Sequence, residues 1–127
     1  MKIMVIKKKA TGIYMMVIGL SVIVAWMMIL GFESPKEGKI ELIFHLISEF
    51  VMASICIVGG LGLLLDRERS KLIISFGLGA LIYSIINASG FYLENGSIIT
   101  VIIFIVLLLV SIMIAYRILK STNNLYV

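Results

Sequence analysis

A chain of 127 residues that is 61% hydrophobic and only 14% charged, with a mean hydropathy of +1.17, fits one domain and lies well above the apolar level of soluble globular proteins. Its net charge of +4 does not point to nucleic acid, because the basic residues flank apolar runs and form no patch on a soluble module. A single cysteine, Cys56, excludes a disulfide framework, a C-x-x-C redox pair and a thiolate metal cluster within the chain, and reads as a small apolar packing residue.

In chain order, four windows reach the roughly 20 apolar residues that a helix needs to cross a bilayer core of about 30 Å: 10–32, 40–65, 72–93 and 97–116. The runs are continuous rather than alternating, which selects helices over a barrel. The expected fold is all-α, an integral membrane four-helix antiparallel bundle, up-down-up-down, forming a single transmembrane domain over 1–127.

The first window follows a basic segment, Met1 to Lys9, that could serve as the n-region of a signal. Its 23 uncharged residues exceed the roughly 7–15 of a signal h-region, and no Ala-x-Ala cleavage pattern follows, so it reads as a retained span. Met15, Met16, Met27 and Met28 cluster there and read as packing residues. A loop from Gly31 to Lys39, with Pro35 and Gly38, leads into the second window.

That second window carries His45 and Glu49, one helical turn apart and set within apolar sequence. A charge at the bilayer centre costs roughly 2.5–3.5 kcal/mol on insertion scales, so such a residue points to a site. The 15 Leu, Ile, Val and Phe residues between Ile40 and Leu65 still favour insertion at about 0.3–0.6 kcal/mol each. Cys56, Gly59, Gly60 and Gly62 thin this helix, as Gly77 and Gly79 thin the next, giving the small-residue spacing through which membrane helices approach. The turn Asp66 to Lys71 joins the second window to the third, and Glu94, Asn95 and Gly96 make a tight turn into the fourth.

Nine of the eleven Lys and Arg residues lie at the N-terminus (Lys2, Lys7, Lys8, Lys9), in the 66–71 turn (Arg67, Arg69, Lys71) and near the C-terminus (Arg117, Lys120), against Lys36 and Lys39 in the first loop. The positive-inside rule then places both termini and the 66–71 turn in the cytoplasm. Lys7, Lys8 and Lys9 suit anionic lipid but are also the ordinary anchor of a first helix.

A hairpin centred on the 66–71 turn sets residues of the two central helices at about equal depth where their numbers sum to 137, which places Glu49 near Asn87 and Ala88, and His45 near Phe91 and Tyr92. Glu41, His45 and Glu49 recur every four residues on one helix, and Tyr83, Asn87, Gly90 and Glu94 share a narrow arc of the next. The expected intramembrane polar site is therefore His45, Glu49, Tyr83 and Asn87. It can act as a register device made of interhelical hydrogen bonds, as a binding site for a proton, cation, headgroup or small polar molecule, or as a surface for another membrane subunit or a second copy. One His and one Glu are too few for a zinc site. Ser48 and Ser54 lack a nucleophile's motif context, so neither catalysis nor a cofactor is expected.

The runs Phe44-His45-Leu46-Ile47-Ser48-Glu49-Phe50 and Ile82-Tyr83-Ser84-Ile85-Ile86-Asn87-Ala88-Ser89-Gly90-Phe91-Tyr92 resemble conserved segments of a family of small, uncharacterised four-helix membrane proteins of bacteria and archaea. The resemblance implies a prokaryotic plasma membrane and supplies no activity. Small multidrug exporters are similar in size only: their essential carboxylate is in helix one, and helix one here has no acid. The leading expectation is a non-enzymatic membrane subunit or binding element, partnered by the bilayer and by a second copy or a larger complex. The alternative is a proton- or cation-coupled small transporter acting as a dimer.

Overall fold

The computed structural model describes residues 2–32 and 37–123, with side chains over 8–32 and 37–121. Among them all regular structure is helical: α1 (Lys2–Phe32), α2 (Lys39–Leu64), α3 (Ser70–Glu94) and α4 (Ile98–Asn123). Each apolar window becomes one helix, and each helix contains a stretch long and apolar enough to cross a membrane, Lys8–Phe32, Lys39–Leu64, Ser70–Glu94 and Ile98–Ser121. Helix ends follow capping and backbone bonding rather than hydropathy, so α1 begins eight residues before its window and α4 continues seven past it. Pro35 and Lys36 of the first loop lie outside the described residues. Two compact units divide the chain, one ending at Gly77 and one beginning at Leu78.

In the first unit α1 and α2 run antiparallel and meet backbone to backbone. A Cβ built on Gly60 would lie 2.6 Å from the Gly12 carbonyl oxygen, and one on Gly19 would lie 2.8 Å from the Ala53 carbonyl oxygen. Only glycine permits that approach at Gly60 and Gly19, since real Cβ atoms do not come so near a carbonyl. Gly12 and Gly60, like Gly19 and Ala53, have numbers that sum to 72, so a single register holds over two turns. The same register brings Lys8 to Asp66 at one end and Trp26 to His45 at the other. Met15 is fully buried beside this seam, whereas Met27 and Met28 are 66% and 57% exposed. The expectation that all four methionines pack is thus half right: Met27 and Met28 follow Trp26 by about 100° and 200° around the helix, off the seam.

Where α2 meets the first turns of α3, still within this unit, Gly59 faces Ile74 and Gly77 faces Ile55 and Cys56. The Cys56 thiol donates to the Gly77 carbonyl oxygen at 3.8 Å. These pairs sum to 132–133 rather than 137, a difference of about one helical turn. Hydropathy starts the third window at Leu72, but α3 begins at Ser70, fully folded into the turn with its hydroxyl donating to the Arg67 carbonyl.

The turn after α2 is a Schellman motif. Asp66 adopts a left-handed φ of 57°, its N–H reaches the Leu63 carbonyl at 3.3 Å, and the Arg67 N–H reaches the Gly62 carbonyl at 2.8 Å. The turn after α3 repeats the pattern with glycine at the left-handed position: Gly96 has φ 76°, and the Ser97 N–H reaches the Tyr92 carbonyl at 2.9 Å. Asp is among the few residues that tolerate this conformation. Here its carboxylate accepts a hydrogen bond from the Lys8 ammonium, and that contact holds the Asp66 carboxyl below its ordinary value.

In the second unit, Leu78, Leu81 and Ile85 form one buried stripe of α3, and Ser111 and Ile114 are buried on α4. The rings of Tyr92 and Phe104 meet edge to face, with centroids 5.5 Å apart, joining the two helices near their turn. Most of α4 is exposed and apolar, including Ile99 at 76% and Leu109 at 62%.

Gly60→Val places branched carbons against the Gly12 carbonyl, and the expected overpacking cost of about 1–3 kcal/mol exceeds the few tenths gained in helix propensity. Thermal unfolding in detergent should show a clear loss for Gly60→Val and little change for Gly31→Ala, whose added Cβ meets nothing within 4 Å. Because the Asp66 carboxyl is depressed in the folded state, its contribution is present above the ordinary carboxylate value and is lost as pH falls through the folded value. Asp66→Asn keeps the left-handed turn and removes the charge. Its acid unfolding curve should be flatter than the parent's in the range below pH 4, and an unchanged slope would show that the bridge carries no stability.

Candidate functional site

Of the polar residues that sequence singles out, His45 has the most defined surroundings. It lies six residues into α2, about 9 Å along the axis, and its Nδ1 is 3.2 Å from both Oε1 and Oε2 of Glu37. An ionised carboxylate only accepts, so Nδ1 carries the hydrogen and donates to both oxygens. Trp26 of α1 closes the corner, its ring meeting the imidazole edge to face with centroids 5.0 Å apart and planes at 76°.

Local structure explains why Glu37 can reach so far. Gly38 is extended at the start of α2, with ψ 153°, and Glu37 just before it reaches the His45 ring. Glu37 and Glu41 both stand at the α2 N-terminus, where the helix dipole favours negative charge. His45 and Glu37 are each about one-third exposed or less, so the pair is neither sealed nor fully solvated.

Glu49 follows one turn deeper, about 15 Å from the start of α2; it is half-buried and has an interaction partner of its own. Tyr83 and Asn87 belong to the second unit and are exposed there, Tyr83 at 72%. The structure therefore supplies His45 with Glu37 and Trp26, two residues that sequence reasoning did not select. Glu37 stands in the first loop, where the sequence gives no sign of a partner. No spacing in the sequence signals Trp26; the α1–α2 register set by contacts at Gly12, Gly19, Ala53 and Gly60 brings it opposite His45.

Other side chains offer less. Ser48 and Ser54 donate to the carbonyls of Phe44 and Phe50 at 2.9 and 2.7 Å, bonding their own helix as interior serines do. Among the described residues no three His, Cys, Asp or Glu side chains come together as a metal site. The corner presents an imidazole, a carboxylate and an indole side by side.

A thermodynamic cycle with Glu37→Gln and His45→Asn should give a coupling of about 0.2–1 kcal/mol, the range for partly exposed ion pairs. Trp26 is the one tryptophan in the chain, so its emission reads this corner alone. His45→Ala should change that emission; if it does not, the ring contact is absent in solution.

The comparisons with known proteins bear on kinship alone. No curated protein and no solved structure matches the chain. A family described as Domain of unknown function (DUF8058) matches residues 4–127. With nearly its whole length matched, the chain belongs to the family of that domain of unknown function.

Proposed function

We propose that the chain is a four-span membrane protein with both termini in the cytoplasm, working as a non-enzymatic subunit or binding element whose polar corner, His45, Glu37 and Trp26, opens at the external end of α1 and α2. One observation carries the reading. All four helices are long and apolar enough to span, yet only about a tenth to a quarter of each spanning stretch is buried within the protein. Water does not tolerate contiguous apolar faces of that extent, whereas lipid requires them.

Charge supports the orientation. The bridge between Lys8 and Asp66 puts the N-terminal lysines and the turn holding Arg67 and Arg69 at one end of the first unit, and the Trp26–His45 contact marks the opposite end. The Lys and Arg bias then assigns the first end to the cytoplasm. Trp26 and His45 sit where the amphipathic rings of an interfacial belt belong.

Cysteine accessibility in a Cys56→Ala background tests the topology. Gly38→Cys should react in intact cells with a membrane-impermeant maleimide, while Glu68→Cys and Ser121→Cys should react only after permeabilisation. The reverse pattern overturns the orientation, and equal reaction at all three positions overturns the membrane reading.

A further inference from the structure

Gly79, Tyr83, Asn87, Gly90 and Glu94 of α3 are all exposed and, at 100° per residue, fall within an arc of about 80°. The buried stripe Leu78, Leu81 and Ile85 lies on the opposite side of the helix. An added Cβ at Gly79 or Gly90 would meet nothing within 4 Å, so the face is open as well as exposed. Around it stand Ile86 and Phe91, 57% and 55% exposed.

On a soluble protein such a face would be unremarkable, with water bonding its amide and hydroxyl. The inference rests on the membrane reading, where water is absent. A helix of 25 residues is about 37 Å long, and the hydrocarbon core is about 30 Å. Tyr83 lies 13 residues from Ser70 and 11 from Glu94, near mid-depth and away from the interfacial zone where tyrosines anchor. Asn87 is about 10 Å from the Glu94 end, too deep for its short side chain to reach the interface. Neither the Asn87 amide nor the Tyr83 hydroxyl makes a side-chain hydrogen bond among the described residues. Lipid tails offer none, and an unsatisfied polar group in hydrocarbon is costly.

We propose that this α3 face joins two copies of the chain, with Asn87 of each copy hydrogen-bonding Asn87 of the other and Tyr83 stacked one turn away. The occupant follows from complementarity. A carboxamide carries both a donor and an acceptor, so its partial charges complement those of its own copy across a twofold axis. Copies inserted in one orientation and related by an axis along the membrane normal bring identical residues to identical depth. Gly79 and Gly90, flanking the polar pair, let the two helices approach. Glu94 ends the stripe at the helix terminus, where water solvates both carboxylates.

The test uses the full chain in native membranes, with Cys56→Ala and a bismaleimide crosslinker. Ile86→Cys, beside the face, should give crosslinked dimer, whereas Leu109→Cys, equally exposed on α4, should not. Adding Asn87→Leu to Ile86→Cys should cut the dimer about tenfold, in the range of an interhelical hydrogen bond, while Asn87→Gln should retain most of it. Equal crosslinking at Leu109, or indifference to Asn87→Leu, overturns the proposal. Carbonate washing separates the two levels: protein that washes off the membrane sinks the membrane reading, and protein that stays but yields no dimer sinks this inference alone.

Discussion

The contact on which the first unit depends is the backbone approach of α1 and α2 at Gly12, Gly19, Ala53 and Gly60. In the proposed membrane setting, helices gain nothing from hiding Leu or Ile from one another, so their association rests on close packing and polar contacts. Two such contact points, seven residues apart on each helix, leave no freedom to slide. Everything at the helix ends inherits that register: Lys8 arrives at Asp66, and Trp26 arrives at His45.

The two connecting turns use one geometry with different residues. At Gly96 the left-handed position is occupied by the residue that adopts it without penalty, whereas at Asp66 a charged side chain stands there. Glycine would relax the backbone but would offer Lys8 no carboxylate. The α2–α3 turn thus trades some backbone ease for a link to the N-terminal end of α1, so that one residue both reverses the chain and fastens the first helix to the hairpin. The Asn95 side chain, by contrast, only bonds its own helix, at the Phe91 carbonyl.

Polar groups within the apolar helices sort by what satisfies them. Ser21, Ser54 and Ser89, within the helices, bond their own backbone carbonyls. His45 draws on the Glu37 carboxylate, and Tyr83 and Asn87 stand exposed on α3. In the proposed membrane setting such groups oppose insertion, and a helix keeps them where the contact made is worth more than the span loses. The first unit thereby has a polar corner at one end, and the second an exposed amide within an apolar helix.

Sequence by itself determined the number of helices, their approximate limits and the all-α class, because apolar length is a local property and nothing in lipid or in a packed core competes with it. It also marked His45, Glu49, Tyr83 and Asn87 as residues out of place in their surroundings, since that contrast is visible in a linear string. Register was only partly legible: the glycine spacing was present in the string, but which helix each glycine faces depends on rotation about the axis, and the start of α3 at Ser70 depends on a backbone turn that hydropathy does not see. The partners of His45 were decided by tertiary structure alone. Glu37 stands just before α2, and Trp26 belongs to a helix brought into place by contacts about two and four turns away, so neither neighbour is encoded by any spacing near His45.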